Sequence, residues 1–128
     1  KISKVASGGE LSRLMLVVKY IVAKISHVET LIFDEIDLGV SGQVASQMGS
    51  MMQEMSKSNQ LIAISHLPQI AAKANEHLKV VKSVSGNKTI SNVLILNNQE
   101  RVNEIAKLLS GKEVTSAAVQ NARVLLNQ

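Results

Sequence analysis

The chain has 128 residues, 45% of them hydrophobic and 19% charged, a balance that specifies a packed globular core rather than a disordered segment. Tyr20 and Phe33 are its two aromatic residues and it has no cysteine, which argues against reading single strands by base stacking and excludes a disulfide framework or thiolate metal site. Its formal charge of +4 is spread over lysines from Lys1 to Lys112 without a dense block, a solvated surface with at most a diffuse pull on nucleic acid; no apolar run approaches the roughly 20 residues of a membrane span.

The chain opens Lys1-Ile2-Ser3-Lys4, with no initiator Met and no signal-peptide stretch, as expected of a piece cut from something longer. Ser7-Gly8-Gly9-Glu10 then leads into Leu11, Leu14, Val18, Ile21 and Ile25, with Met15 and Val22 widening the stripe. Spacings of three and four predict an amphipathic helix of about four turns. Leu31-Ile32-Phe33 is short, continuously apolar and followed by acids, the pattern of a strand buried on both faces.

After the Gly39 to Gly42 turn, Val44, Met48, Met51 and Met55 mark one face of a second helix. Leu61 to Ile64 repeats the buried-strand pattern, and two such strands joined by a helix imply a parallel pair. Pro68 suits the first turn of a short helix. Segments 77–83 and 88–96 read as two strands joined by the turn signal Ser85-Gly86-Asn87. Two helices close the chain, one carrying Val102, Ile105, Ala106 and Leu109 with Gly111 as its stop, the other Ala118, Ala122 and Leu125. No internal repeat or interdomain linker is visible, so residues 1–128 read as a single domain.

Three short runs carry chemistry. An apolar strand ending in Asp34-Glu35 puts two carboxylates at the carboxyl edge of a parallel sheet, where ligands gather in open α/β folds. Asp34 suits Mg²⁺ held through a water, and Glu35 suits orienting or deprotonating an attacking water; acids there also serve simply to solubilise a loop. Ser7 with Glu10 forms a capping box. Its two glycines leave backbone amides uncovered at a helix start, a ready site for a phosphate. His66 follows the second strand by two residues and belongs at the same edge, within reach of a phosphate, although an isolated His more often packs or faces solvent. His27 and His77 have no such placement.

In this order the three runs resemble the second half of an ABC-type ATPase head. Ala6-Ser7-Gly8-Gly9-Glu10 is similar to the signature motif, Leu31 to Glu35 to a Walker B strand, residues to Gly42 to a D-loop, and His66 to the switch histidine. The runs Val5 to Arg13, Phe33 to Asp37 and Ser65 to Ala71, with Gly39-Val40-Ser41-Gly42, more closely resemble the RecN family of SMC-like ATPases of bacterial DNA double-strand-break repair. Leu38 and Ser65 stand where that family would be expected to have Thr.

The resemblance implies an α/β fold: a partial P-loop NTPase lobe with parallel core strands, a C-terminal hairpin and flanking helices. It implies that Ser7, Gly8, Gly9 and Glu10 bind nucleotide across a head–head interface, with Glu35 and His66 catalytic and Asp34 the metal ligand. ATP and Mg²⁺ are the implied cofactors of the full-length protein. Its implied partners are the chain's own N-terminal head lobe, a second head in a homodimer and DNA, in a cytoplasmic, nucleoid-associated setting with no membrane. No G-x-x-x-x-G-K-[ST] loop occurs in the sequence, so the phosphate cradle would come from that N-terminal lobe, reached through a coiled coil. This chain alone is then expected to hold no nucleotide tightly and to turn none over, and to expose the apolar faces the lobe would cover. Three other readings stay open: another SMC or transporter head, a non-enzymatic DNA-binding or assembly module, and a metal-dependent hydrolase using Asp34, Glu35 and His66.

Overall fold

The computed structural model describes residues 8–26, 28–86, 88–111 and 113–127. They divide at Lys73/Ala74 into two compact units. The fold is α/β, with one parallel strand pair, one antiparallel hairpin and flanking helices.

The first unit contains helix α1 (Gly8–Ser26), strand β1 (Thr30–Asp34), helix α2 (Gly42–Met55), strand β2 (Gln60–Ile64) and the single turn α3 (Pro68–Ala71). Strands β1 and β2 pair in parallel from Thr30↔Gln60 to Asp34↔Ile64. Phe33, Ala45, Met48, Met52, Met55 and Ile70 form an apolar core with Leu16 from α1, and Val44, Met51, Leu31 and Leu61 pack against it. Gly49 lets α2 approach α3 closely: a Cβ there would lie 3.0 Å from the Gln69 carbonyl.

Within this chain neither strand is buried on both faces: β1 buries Phe33, and β2 only half-buries Leu61. Phe33 is 1% exposed, whereas Ile32, Ile62 and Ile64 on the opposite face are 58%, 42% and 55% exposed. Side chains alternate across a strand, and the core lies on the Leu31, Phe33 and Leu61 side. Helix α1 runs longer than expected and buries a different stripe. Gly9, Leu16 and Ala23 are buried and Tyr20 is half-buried, at spacings of seven, four and three. Leu11, Leu14, Val18, Ile21 and Ile25 face outward. The helix is apolar nearly all round, so periodicity identifies it as a helix without selecting the face that packs.

The second unit comprises β3 (Leu78–Ser85), β4 (Lys88–Ile95), α4 (Asn98–Ser110) and α5 (Ser116–Leu125). Strands β3 and β4 form the expected hairpin, in register from Leu78↔Ile95 to Ser85↔Lys88. Gly86 takes the positive φ of 61° that the tight turn requires; Asn87 lies outside the described residues. Val102, Ile105 and Ala106 of α4 are buried, as are Ala118 and Ala122 of α5, and the two helices pack together. Asn97 caps α4 with a reciprocal Asn97–Glu100 box, Gly111 ends it at φ 78°, and the Thr115 hydroxyl caps α5.

Candidate functional site

Strand β1 ends at Asp34, beside Ile64 at the end of β2, and the Glu35 amide extends the pairing by donating to the Ile64 carbonyl at 3.2 Å. The chain then turns sharply. Glu35 sits at φ 48°, a conformation costing a non-glycine residue about 1–2 kcal/mol, and the Leu38 amide donates back to the Glu35 carbonyl at 3.3 Å. Such strain gathers where surrounding structure enforces a geometry that function needs. Asp34 and Glu35 are exposed and border an open cavity of about 260 Å³ that also touches Ser12, Met15, Lys19 and Phe33. The Lys19 ammonium lies 4.9 Å from the centre of the Phe33 ring and donates to the Ile32 carbonyl at 3.2 Å.

The start of α1 is tied to the turn after β1. Gly9 is buried against Gly39, and a Cβ at position 9 would lie 2.6 Å from the Gly39 carbonyl oxygen. Glycine is therefore required at position 9 by backbone packing as well as for an open helix end. Ser7 lies outside the described residues, and with it the capping box expected with Glu10.

His66 leaves β2 at the same edge, with its side chain 67% exposed. Its anchor is Asp37, which sequence reasoning did not single out. Asp37 is 1% exposed, the one charged residue buried among those described. One carboxylate oxygen, Oδ2, accepts from the Ser65 hydroxyl at 2.5 Å and from the His66 amide at 3.1 Å, and lies 3.3 Å from His66 Nδ1. Ser65 Oγ accepts in turn from the Leu67 amide at 3.0 Å. The other carboxylate oxygen, Oδ1, is buried without a partner. Burying a carboxylate is costly unless it is hydrogen-bonded, so this acid holds the turn after β1 to the turn after β2. Its trace in the sequence is an acid between Ile36 and Leu38, among apolar residues just past a strand.

For a divalent cation the donor set is sparse. Among the described residues no three His, Cys, Asp or Glu side chains gather into a metal-holding group. Exposed Asp34 and Glu35 beside an open cavity suit Mg²⁺, which keeps most of its waters and takes one or two carboxylates together with phosphate oxygens. They do not suit an all-protein cage.

The chain is 44% identical over 127 residues to DNA repair protein RecN of Bacillus subtilis, covering 99% of this chain and 22% of that relative. It is 40% identical over 125 residues to DNA repair protein RecN of Vibrio cholerae, covering 98% and 23%, and 42% identical over 125 residues to that of Streptomyces coelicolor, covering 98% and 22%. No protein-family model matches. Among solved structures, it matches the Smc head domain with a coiled coil and joint derived from Pyrococcus yayanosii at TM-score 0.69 and 22% identity, over 85% of this chain and 20% of that one. It also matches a chain from the structural biochemistry of ATP-driven dimerization and DNA-stimulated activation of SMC ATPases at TM-score 0.66 and 22% identity, over 86% and 65%. These likenesses give the fold, that of an SMC-type ATPase head.

Proposed function

The chain belongs to the RecN family, spanning 22–23% of the length of the relatives it matches, and from that premise we propose that residues 1–128 are the C-terminal lobe of a DNA-repair ATPase head. In this reading the lobe supplies the signature, Walker B and switch-histidine elements for ATP hydrolysis in a head dimer. Ser7, Gly8, Gly9 and Glu10 bind nucleotide held by the opposite head; Asp34, Glu35 and His66 act on nucleotide held by their own. The P-loop, the coiled coil and contacts with DNA belong to other parts of the protein. The exposed residues Ile32, Ile62, Ile64 and those along the outer face of α1 are apolar surface that an N-terminal lobe would cover.

The observation that carries the reading is the shared edge: Asp34 and Glu35 end one strand, and His66 follows its parallel partner, pinned by Asp37. Asp34 would hold Mg²⁺, which when bound neutralises charge on phosphate oxygens. Glu35, fixed by its left-handed turn beside the cavity, accepts a proton from water or aligns it for attack. His66 contributes a ring on the exposed side of the same edge. Catalysis then comes from position and electrostatics more than from covalent chemistry.

The test is ATP turnover by the full-length protein. Glu35→Gln should lower kcat by about 10²-fold or more with nucleotide binding retained. Unchanged turnover would remove Glu35 from the chemistry and favour a lobe that serves assembly while the hydrolytic groups lie elsewhere in the protein.

A further inference from the structure

We infer that Asp37 is a positioning residue for His66: it holds the ring proton on Nδ1 and leaves Nε2 as the atom that meets the ligand. The inference about the ring stands on geometry alone; its consequence for turnover rests on the hydrolytic reading of the edge.

Asp37 holds His66 by one hydrogen bond and faces its ring with a buried charge. Oδ2 accepts from the His66 amide, which fixes the backbone carrying the ring, and the same oxygen stands 3.3 Å from Nδ1. A carboxylate oxygen at that separation attracts a proton on Nδ1 and repels a bare lone pair there. Which nitrogen of an imidazole carries the proton is set by what the other faces. The carboxylate itself cannot swing away. It is buried, and Ser65 donates to the same oxygen while accepting from the Leu67 amide. The ring is thus exposed, while the carboxylate beside it is buried.

This changes what His66 offers. With the proton on Nδ1, Nε2 of a neutral ring is an acceptor, suited to the O–H of a water beside a phosphate rather than to a bare phosphate oxygen. The phosphate contact expected of His66 becomes a water-mediated one.

The tautomer is read directly from two-bond ¹⁵N–¹H couplings of the imidazoles in this 128-residue chain, at about pH 8.5 where free imidazole is neutral. His66→Gln assigns the signal. The expected result is a predominantly Nδ1–H ring at His66 in the unaltered chain, moving toward the ordinary Nε2–H form in Asp37→Ala. If that variant fails to fold, the near-isosteric Asp37→Asn should move the ratio the same way by a smaller amount. A predominantly Nε2–H ring in the unaltered chain, or a ratio indifferent to both substitutions, overturns the inference.

In the full-length protein, Asp37→Asn should lower kcat about tenfold and leave KM for ATP within about twofold. The double variant with His66→Gln should be no slower than His66→Gln alone, because Asp37 acts through the ring. Additive losses would instead assign Asp37 a separate structural role. Loss of turnover in Glu35→Gln with an Asp37-independent tautomer would fail this inference alone. An Asp37-dependent tautomer with turnover indifferent to Glu35 would fail the hydrolytic reading alone.

Discussion

In residues 8–73 the conformational outlier and the buried charge gather at one sheet edge, whereas residues 74–127 follow local rules almost throughout. The first unit places a glutamate, not a glycine, at φ 48° and buries Asp37 with one oxygen unpartnered. In the second, positive φ falls to Gly86, Gly111 and Asn127, residue types that tolerate it, and both helices begin on side-chain caps. The second unit also buries unpartnered polar atoms, His77 Nδ1 and Arg101 Nε, so the contrast lies in backbone strain and in the buried carboxylate. Strain that neighbouring structure must enforce directs attention to this edge independently of the motifs.

Substitutions can break that contrast at either end. The largest expected effect is at Asp37: Asp37→Ala leaves the Ser65 hydroxyl and the His66 amide without their acceptor and should lower stability by about 2–4 kcal/mol in urea unfolding. A change below about 0.5 kcal/mol would show that water replaces the carboxylate. Next is Gly9→Ala, whose Cβ would meet the Gly39 carbonyl at 2.6 Å; a loss of about 1–3 kcal/mol is expected, read as a lowered thermal midpoint. In the second unit Asn97→Ala removes one half of a capping box and should cost only about 1 kcal/mol, measured the same way.

The smallest effect is a pH dependence. Burial, with Arg101 and Lys79 nearby, pushes the His77 imidazole below its usual 6.5, against the opposing pull of Glu104. Below 6.5 the unfolded chain therefore binds a proton that the folded chain resists. Stability should be full above that value and fall as the pH drops beneath it. Urea midpoints at several pH values should show the slope, and His77→Gln should flatten it. A slope unaffected by that substitution would assign the dependence to another group.

What could be read from the sequence follows the same division. The hairpin turn at Gly86, the stop at Gly111 and most of the buried faces of α4 and α5 are legible because each depends on residues a few positions apart, although Leu109, expected on the α4 face, is exposed. The parallel pair was legible from two short apolar runs, and it brings Asp34, Glu35 and His66 to one edge. Asp37 and Ser65 were not, because their contact spans 28 residues and exists only once β1 and β2 are in register. Which stripe of α1 packs within this chain is not legible, because Leu16 and Tyr20 compete with an equally regular stripe on its other side and only tertiary packing chooses between them.

The central claim, that this edge acts on ATP held by a lobe the chain does not contain, is tested most directly by mixing the chain with a separately expressed P-loop lobe and measuring phosphate release. Hydrolysis should appear only in the mixture and disappear when the chain carries Glu35→Gln. Equal hydrolysis with and without Glu35, in a mixture shown to form the complex, would contradict the account.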